Sequence, residues 1–389
     1  MIPSEKQNNL CVIHILSDIY DSDKVNFIKS ISDIIVEAGF SNTVILPDSV
    51  LAGNLKRNGS QVEVFDKKVR NTRFMLSEIV SKIDSIDLNR NKVLVHNHEL
   101  KLSKEIQKIC HQRNIHNSHS VFSKPQEENF LSKIMGKSKK FYKGLNVAIV
   151  SYELKKYFTE TYAPLISDLS VVPIELSRSE GSVPHERIIS LAKSWGILDQ
   201  PSLILLTQEF YGNKKWEKNV LEIGNALQKF QQEKSVQLIV LDSKKENPLR
   251  DKFQESIAKM KLLNFINPVK DCTDFEAAVS IASLYLDLSP EPPETSSILR
   301  KSAEQGILCI AWRHGANVEE FPQSLSGNLV EPFNFTIYTQ KIREFLLLSE
   351  DKARYIESEN QKYVREKYGR DSVKLALFDF YNKILGKAV

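Results

Sequence analysis

The sequence predicts an α/β protein of two tandem domains, each a parallel sheet covered by helices, facing each other across a cleft and followed by a helical C-terminal tail. Three observations carry this expectation. Short β-branched runs alternate with stretches whose apolar residues recur at i, i+3, i+4 and i+7, the pattern of βαβ units. The polar stretch Ser177-Arg-Ser-Glu-Gly-Ser-Val-Pro184 interrupts that alternation, which then restarts. A chain of 389 residues also exceeds what one ordinary core serves and suits two domains of roughly 200 residues or fewer.

In order, the strand candidates of the first half are Cys11–Leu16, Thr43–Leu46, Gln61–Phe65, Lys92–His96, His119–Phe122, Asn146–Val150 and Val171–Ile174. Helical patterns such as Val25–Ala38 and Ser103–Cys110 lie between them, and Gly39 stands where a left-handed cap closes the first helix. Beyond the linker, Ser202–Thr207, Val236–Leu241, Asn264–Ile266, Leu284–Leu288 and Ile307–Trp312 read as buried strands. After Pro332 the pattern is helical over Thr336–Leu348, Asp351–Lys367 and Asp371–Leu385. The domains are therefore expected at residues 1–176 and 185–370, with 371–389 as a separate terminal helix.

Composition narrows the function. Apolar residues are 41% and charged residues 26%, a globular balance, and the net charge of +4 is too small to imply nucleic acid. Cys11, Cys110, Cys272 and Cys309 have no close spacing, so neither a zinc cluster nor a disulfide framework is expected. The first residues lack the apolar run of a signal peptide, and no window of about 18 apolar residues spans a membrane. A reducing, cytoplasmic location is expected. The basic run Lys133–Lys143, with Phe141 and Tyr142, suits peripheral contact with an anionic membrane or a solvated helix face. No GxGxxG, Walker loop, G-x-S-x-G or HExxH occurs.

Ligands of parallel sheets sit beyond the carboxyl ends of the strands, and a cleft between two such domains is the default site. His96 and His98 end a first-domain strand and share a face, with Asn97 pointing away. In the second domain a strand gives way to Ser289-Pro-Glu-Pro-Pro-Glu-Thr-Ser-Ser297 and then a helix to Gly306. That turn presents Glu291 and Glu294, and the amides near Thr295, Ser296 and Ser297 suit a phosphate. Glu294 serves equally as a partner of the positive helix end, and Thr295 as its cap.

This segment resembles the donor-binding signature of the retaining family-4 glycosyltransferases: a strand, a P-S/x-E-P-x-G turn and a helix carrying two glutamates eight positions apart. Gly306-Ile-Leu-Cys-Ile-Ala-Trp resembles the G-x-P-V-I-A strand that follows, Arg313-His-Gly-Ala-Asn-Val-Glu319 the G-G-x-x-E turn, and Gly327-Asn-Leu-Val-Glu-Pro the G-x-L-V-x-P after it. Val93-Leu-Val-His-Asn-His-Glu-Leu resembles the H-N-x-P strand of bacterial lipopolysaccharide-type members, and Asn146–Phe158 a strand and helix of the same group. Departures are specific. Aligned back from Gly306, Lys301 occupies the second glutamate's place, Gln208 replaces an expected arginine, and no glycine pair follows the first strand.

The resemblance implies two Rossmann-like domains of the B-type fold, with the last helix packed back on the first domain. It implies a transferase that moves a sugar from a nucleoside diphosphate sugar to a cell-envelope, lipopolysaccharide-core-like or lipid-linked glycan, with retention. Glu291 and His96 are then the catalytic candidates. Lys218, Glu294, Thr295, Ser296, Ser297, Lys301, Gly315 and Glu319 are the donor-binding ones. Arg250, Lys214, Lys215, Lys244 or Lys245 would replace the absent arginine, and Glu304 would compensate for Lys301. No metal and no cofactor beyond the donor are expected. A catalytically silent binding or assembly module and a sugar-nucleotide epimerase are the alternatives.

Overall fold

The computed structural model describes residues 10–17, 19, 21–47, 49–65, 72–85, 92–125, 142–176, 183–197, 203–230 and 235–386. Most of the predicted linker and the basic run up to Phe141 lie outside them. The chain forms two compact units: Met1–Glu175 with Tyr368–Val389, and Leu176–Lys367.

Unit 1 contains β1 (Leu10–Ile15), α1 (Ser22–Glu37), β2 (Ser41–Pro47), α2 (Val50–Arg57), β3 (Gln61–Phe65), α3 (Thr72–Asp84), β4 (Lys92–Asn97), α4 (Ser103–Gln112), β5 (His116–Val121), β6 (Asn146–Ile149), α5 (Tyr152–Tyr162) and β7 (Asp168–Val171). Its seven strands run in the order β3-β2-β1-β4-β5-β6-β7, all parallel. Side-chain alternation splits β1 between two cores. Val12 faces Phe27, Ile28 and Ile31 of α1, while Cys11, Ile13 and Ile15 join Ile79 and Ile83 of α3 and Ile106 of α4. Asp21 caps α1, accepting from the amides of Asp23 and Lys24, and Gly39 closes the helix at φ +80°.

Unit 2 contains α6 (His185–Ser194), β8 (Leu203–Gln208), α7 (Lys214–Phe230), β9 (Val236–Leu241), α8 (Pro248–Lys259), β10 (Ile266–Val269), α9 (Phe275–Ile281), β11 (Leu284–Asp287), α10 (Ser297–Glu304), β12 (Leu308–Trp312), β13 (Leu329–Val330), α11 (Phe335–Leu346) and α12 (Glu350–Tyr368). The strand order is β10-β9-β8-β11-β12-β13, again all parallel. Trp216, Phe253, Trp312 and Tyr338 fill one face of this sheet. The last helix, α13 (Arg370–Leu385), belongs to unit 1, where Val373, Leu377, Phe380 and Tyr381 enter the α1 core.

Two boundaries moved for a physical reason. Strand β7 ends at Val171, ahead of Pro173, whose nitrogen cannot donate to a ladder. Strand β10 carries Pro268 because it is the edge of its sheet, where a missing donor costs least. No helix among the described residues is long and apolar enough to cross a membrane.

Candidate functional site

In both sheets the strand order reverses beside the first strand: between β1 and β4 in unit 1, and between β8 and β11 in unit 2. Such switch points are where open parallel sheets hold ligands.

At the unit 1 switch point, His14 and His96 are register partners on β1 and β4, and His98 follows two residues on. The rings cluster, with His96 and His98 centroids 4.5 Å apart, while Asn97 turns away to bond His119 Nδ1 at 3.2 Å. The expectation that His96 touches a sugar is revised. Its side chain is fully buried, with Nδ1 2.8 Å from Tyr381 Oη and Nε2 2.7 Å from Ser120 Oγ.

His14 Nδ1 and His98 Nε2 lie 3.0 Å apart. Their other nitrogens have no partner among the described residues. One neutral imidazole of that pair donates to the other, so one N–H and one lone pair stay buried and unpaired. Burial lowers the pKa of His14 and His119 to about 3 and pushes His96 and His98 well below the usual histidine range, which keeps all four neutral. Ring nitrogens of His14, His96 and His98 lie within 4.8 Å of one another, close enough to consider a metal ion. A metal needs lone pairs, however, and His96 can supply one only by leaving Ser120 or Tyr381. The trio fits a hydrogen-bonded core better than a ligand set.

The unit 2 switch point is more open. Glu291, on the turn after β11, is exposed and pairs with Lys215 at 3.3 Å. The Lys215 ammonium also lies 5.8 Å from the centre of the Phe333 ring. Lys218, one turn further along α7, pairs instead with Glu222 at 3.5 Å. Arg250 is committed to buried Asp242 and to the carbonyls of Lys244 and Lys245, so it cannot supply the cation the sequence lacks at Gln208.

Glu294 and Thr295 precede Ser296, the N-cap of α10, and Ser297 opens that helix. The first turn of a helix carries amides without intrahelical acceptors. Ser296 Oγ does not cap it but donates to Asn317 Oδ1 at 2.7 Å. Lys301 is exposed on α10. Glu304 is engaged by Arg365 at 3.1 Å, a pair it would have to leave to replace a ribose contact.

Gly315, at φ +53°, lets the chain after β12 pass hard against the Glu291 turn: a Cβ there would stand 2.5 Å from Pro293 O. The Ala316 amide donates to that same carbonyl at 2.8 Å. Glu319 is held by α12, its carbonyl accepting from Lys367 Nζ at 2.6 Å and from Tyr363 Oη at 3.1 Å.

The sequence reading missed Asp287. This residue ends β11, and its Oδ1 accepts from Ser289 N, Ser289 Oγ and Asn317 Nδ2. A carboxylate only accepts, so Ser289 Oγ spends its proton on Asp287 and takes a hydrogen bond from His314 Nε2 at 3.2 Å. Ser289 lies in the turn before α10, and His314 and Asn317 lie in the Arg313–Glu319 turn, both segments that the sequence singles out. Asp287 was absorbed into an apolar run, where its charge was the available signal.

No protein-family model and no curated sequence matches the chain. Solved structures do. A glycosyltransferase from Rickettsia africae superposes with a TM-score of 0.78 at 18% identity, covering 97% of this chain and 99% of that one. Anabaena HepE in complex with UDP and glucose gives 0.72 at 13% identity, over 96% and 99% of the two chains. Sucrose-phosphate synthase from Thermosynechococcus elongatus gives 0.69 at 12%, over 97% and 99%. The fold is thus the B-type glycosyltransferase fold, with two Rossmann-like domains.

Proposed function

We propose that the protein is a glycosyltransferase that takes its sugar from a nucleoside diphosphate sugar bound on unit 2. The fold likeness to HepE, a protein seen with UDP and glucose, is the observation that carries this reading. The Glu291–Lys215 pair beyond the carboxyl ends of the central unit 2 strands supports it chemically. In sugar transfer the bond from the anomeric carbon to oxygen breaks and its electron pair leaves with the diphosphate, so positive charge builds on the ring and negative charge on the phosphates. Glu291 suits the first charge. Lys215, with the first turn of α10, suits the second. Retention, and a cell-envelope or lipid-linked glycan as acceptor, rest on the motif resemblance. Neither metal nor cofactor enters this reading.

A second reading is a silent member that binds without transfer. Two observations favour it: Lys301 stands where the family pattern has a glutamate, and Glu304 is engaged by Arg365. Thermal shift against a panel of nucleotides and nucleotide sugars separates the cases, since a ligand at 100 times its Kd stabilises by about 2.7 kcal/mol. Shifts with nucleotide sugars, followed by transfer that Glu291→Gln abolishes, support the enzyme. Shifts without transfer support the silent module. No shift with any member of the panel removes the donor site altogether.

A further inference from the structure

At the unit 2 switch point Asp287 is held from one side only. Its Oδ1 is saturated by three donors, Ser289 N at 3.1 Å, Ser289 Oγ at 2.5 Å and Asn317 Nδ2 at 3.1 Å. Its Oδ2 meets no donor among the described residues and is not one of the buried unpartnered atoms, so solvent still reaches it. The donors are themselves fixed. Asn317, fully buried, also donates to the Trp312 carbonyl at 3.2 Å and accepts from Ser296 Oγ, and Ser289 is steadied by His314. A carboxylate gripped this way cannot turn, so Oδ2 is an acceptor of fixed direction. It sits where β11 leaves the sheet beside β8, and the chain Ser296–Asn317–Asp287 ties it to the start of α10.

We propose that Asp287 Oδ2 reads a hydroxyl group of the bound donor and so sets its position and selectivity, an inference that rests on unit 2 being a nucleotide-sugar site. An ionised carboxylate repels phosphate and only accepts hydrogen bonds. Its complement on a nucleoside diphosphate sugar is therefore a hydroxyl, of the ribose or of the transferred sugar. Asp287 thereby restores an acceptor to a site where Lys301 offers only donors. It is a positioning residue for the donor rather than a participant in bond breaking.

The test is Asp287→Asn. The amide oxygen can keep the three inward bonds, while the outward acceptor becomes an NH2 donor. Calorimetry of wild type and variant would use UDP, 2′,3′-dideoxy-UDP and UDP-glucose, or the same series on whichever base the nucleotide panel selects. If the hydroxyl belongs to the transferred sugar, the variant loses about ten- to a hundredfold in affinity for UDP-glucose alone. If it belongs to the ribose, UDP and UDP-glucose weaken together, and the dideoxy nucleotide binds wild type and variant equally. Unchanged affinity for all three overturns the proposal, as does an equal loss for all three, which marks a structural effect. A wild type that binds no nucleotide of the panel removes the functional reading itself, and Asp287 with it. Should Asp287→Asn not fold, Ser289→Ala removes one of the three donors and keeps the carboxylate. The same ligand-selective pattern is then expected at a few-fold size, and its absence overturns the role.

Discussion

Arg300 of α10 and Glu320, in the short 3₁₀ turn after β12, form a two-pronged ion pair closed to solvent. The guanidinium Nε lies 3.2 Å from Oε2 and Nη2 2.9 Å from Oε1, and the two side chains are 4% and 0% exposed. The pair ties the helix that carries Lys301 to the loop that carries Gly315. Removing one half takes from the other its two-pronged partner inside a site closed to solvent, so Arg300→Met should cost about 3–5 kcal/mol. Arg300→Met with Glu320→Leu should recover most of that loss. Urea unfolding followed by tryptophan fluorescence measures both. A cost under about 1 kcal/mol for the single variant would mean that solvent reaches the pair.

The four buried histidines of unit 1 predict an acid-sensitive fold. Their folded pKa values are depressed by burial, whereas in the unfolded chain each titrates near 6.5. Below that value the unfolded state binds more protons, so stability is full above about pH 6.5. It falls as pH drops toward the folded pKa, about 3 for His14 and His119. The slope is about 1.4 kcal/mol per pH unit for each histidine. Urea melts at pH 7.5, 6.5 and 5.5 should show a progressive loss, reduced in His14→Gln. A flat profile would mean that solvent enters the cluster.

Gly315→Ala should disturb unit 2 beyond its size. At φ +53° the new methyl carbon would stand within 2.7 Å of both Pro293 O and Pro293 N, backbone atoms that cannot swing aside as a side chain would. A loss of about 1–3 kcal/mol is expected from backbone strain, together with weaker nucleotide binding as the Glu291 turn shifts. Full stability with normal nucleotide affinity would show that the two loops move apart freely.

Lys215 and Lys218 should separate cleanly. Both are surface residues, so each alanine substitution should change stability by less than about 1 kcal/mol. Lys215→Ala should weaken nucleotide binding, because this is the lysine beside Glu291, while Lys218→Ala, whose partner is Glu222, should not. Calorimetry in low and high salt would also show the salt dependence shrinking for Lys215→Ala alone.

How much of this was legible beforehand follows from the range of the interactions. The sheets were readable because β1 (Leu10–Ile15) and β8 (Leu203–Gln208) are apolar runs whose period and length need no distant partner to interpret. The Gly39 cap was readable for the same local reason. What sequence could not convey was who meets whom across tens of residues. His96 looked like a strand-end ligand contact until Tyr381, 285 residues away, closed over it. Arg250 and Glu304 looked available until Asp242 and Arg365 claimed them. Asp287 was missed because its significance depends on Asn317, 30 residues later, gripping one oxygen and sparing the other.

The return of α13 to unit 1 sets an order on biosynthesis. Residues 176–367 form their unit from one uninterrupted stretch, whereas the first unit draws on both sides of it. A ribosome releasing the chain can let the second unit close while the first still lacks Val373, Leu377, Phe380 and Tyr381. Until those residues emerge, His96 has no tyrosine to meet and the apolar flank of α1 stays wet. Residues made before the second unit are thus finished after it, and a chaperone that shelters nascent chains would be expected to linger on them.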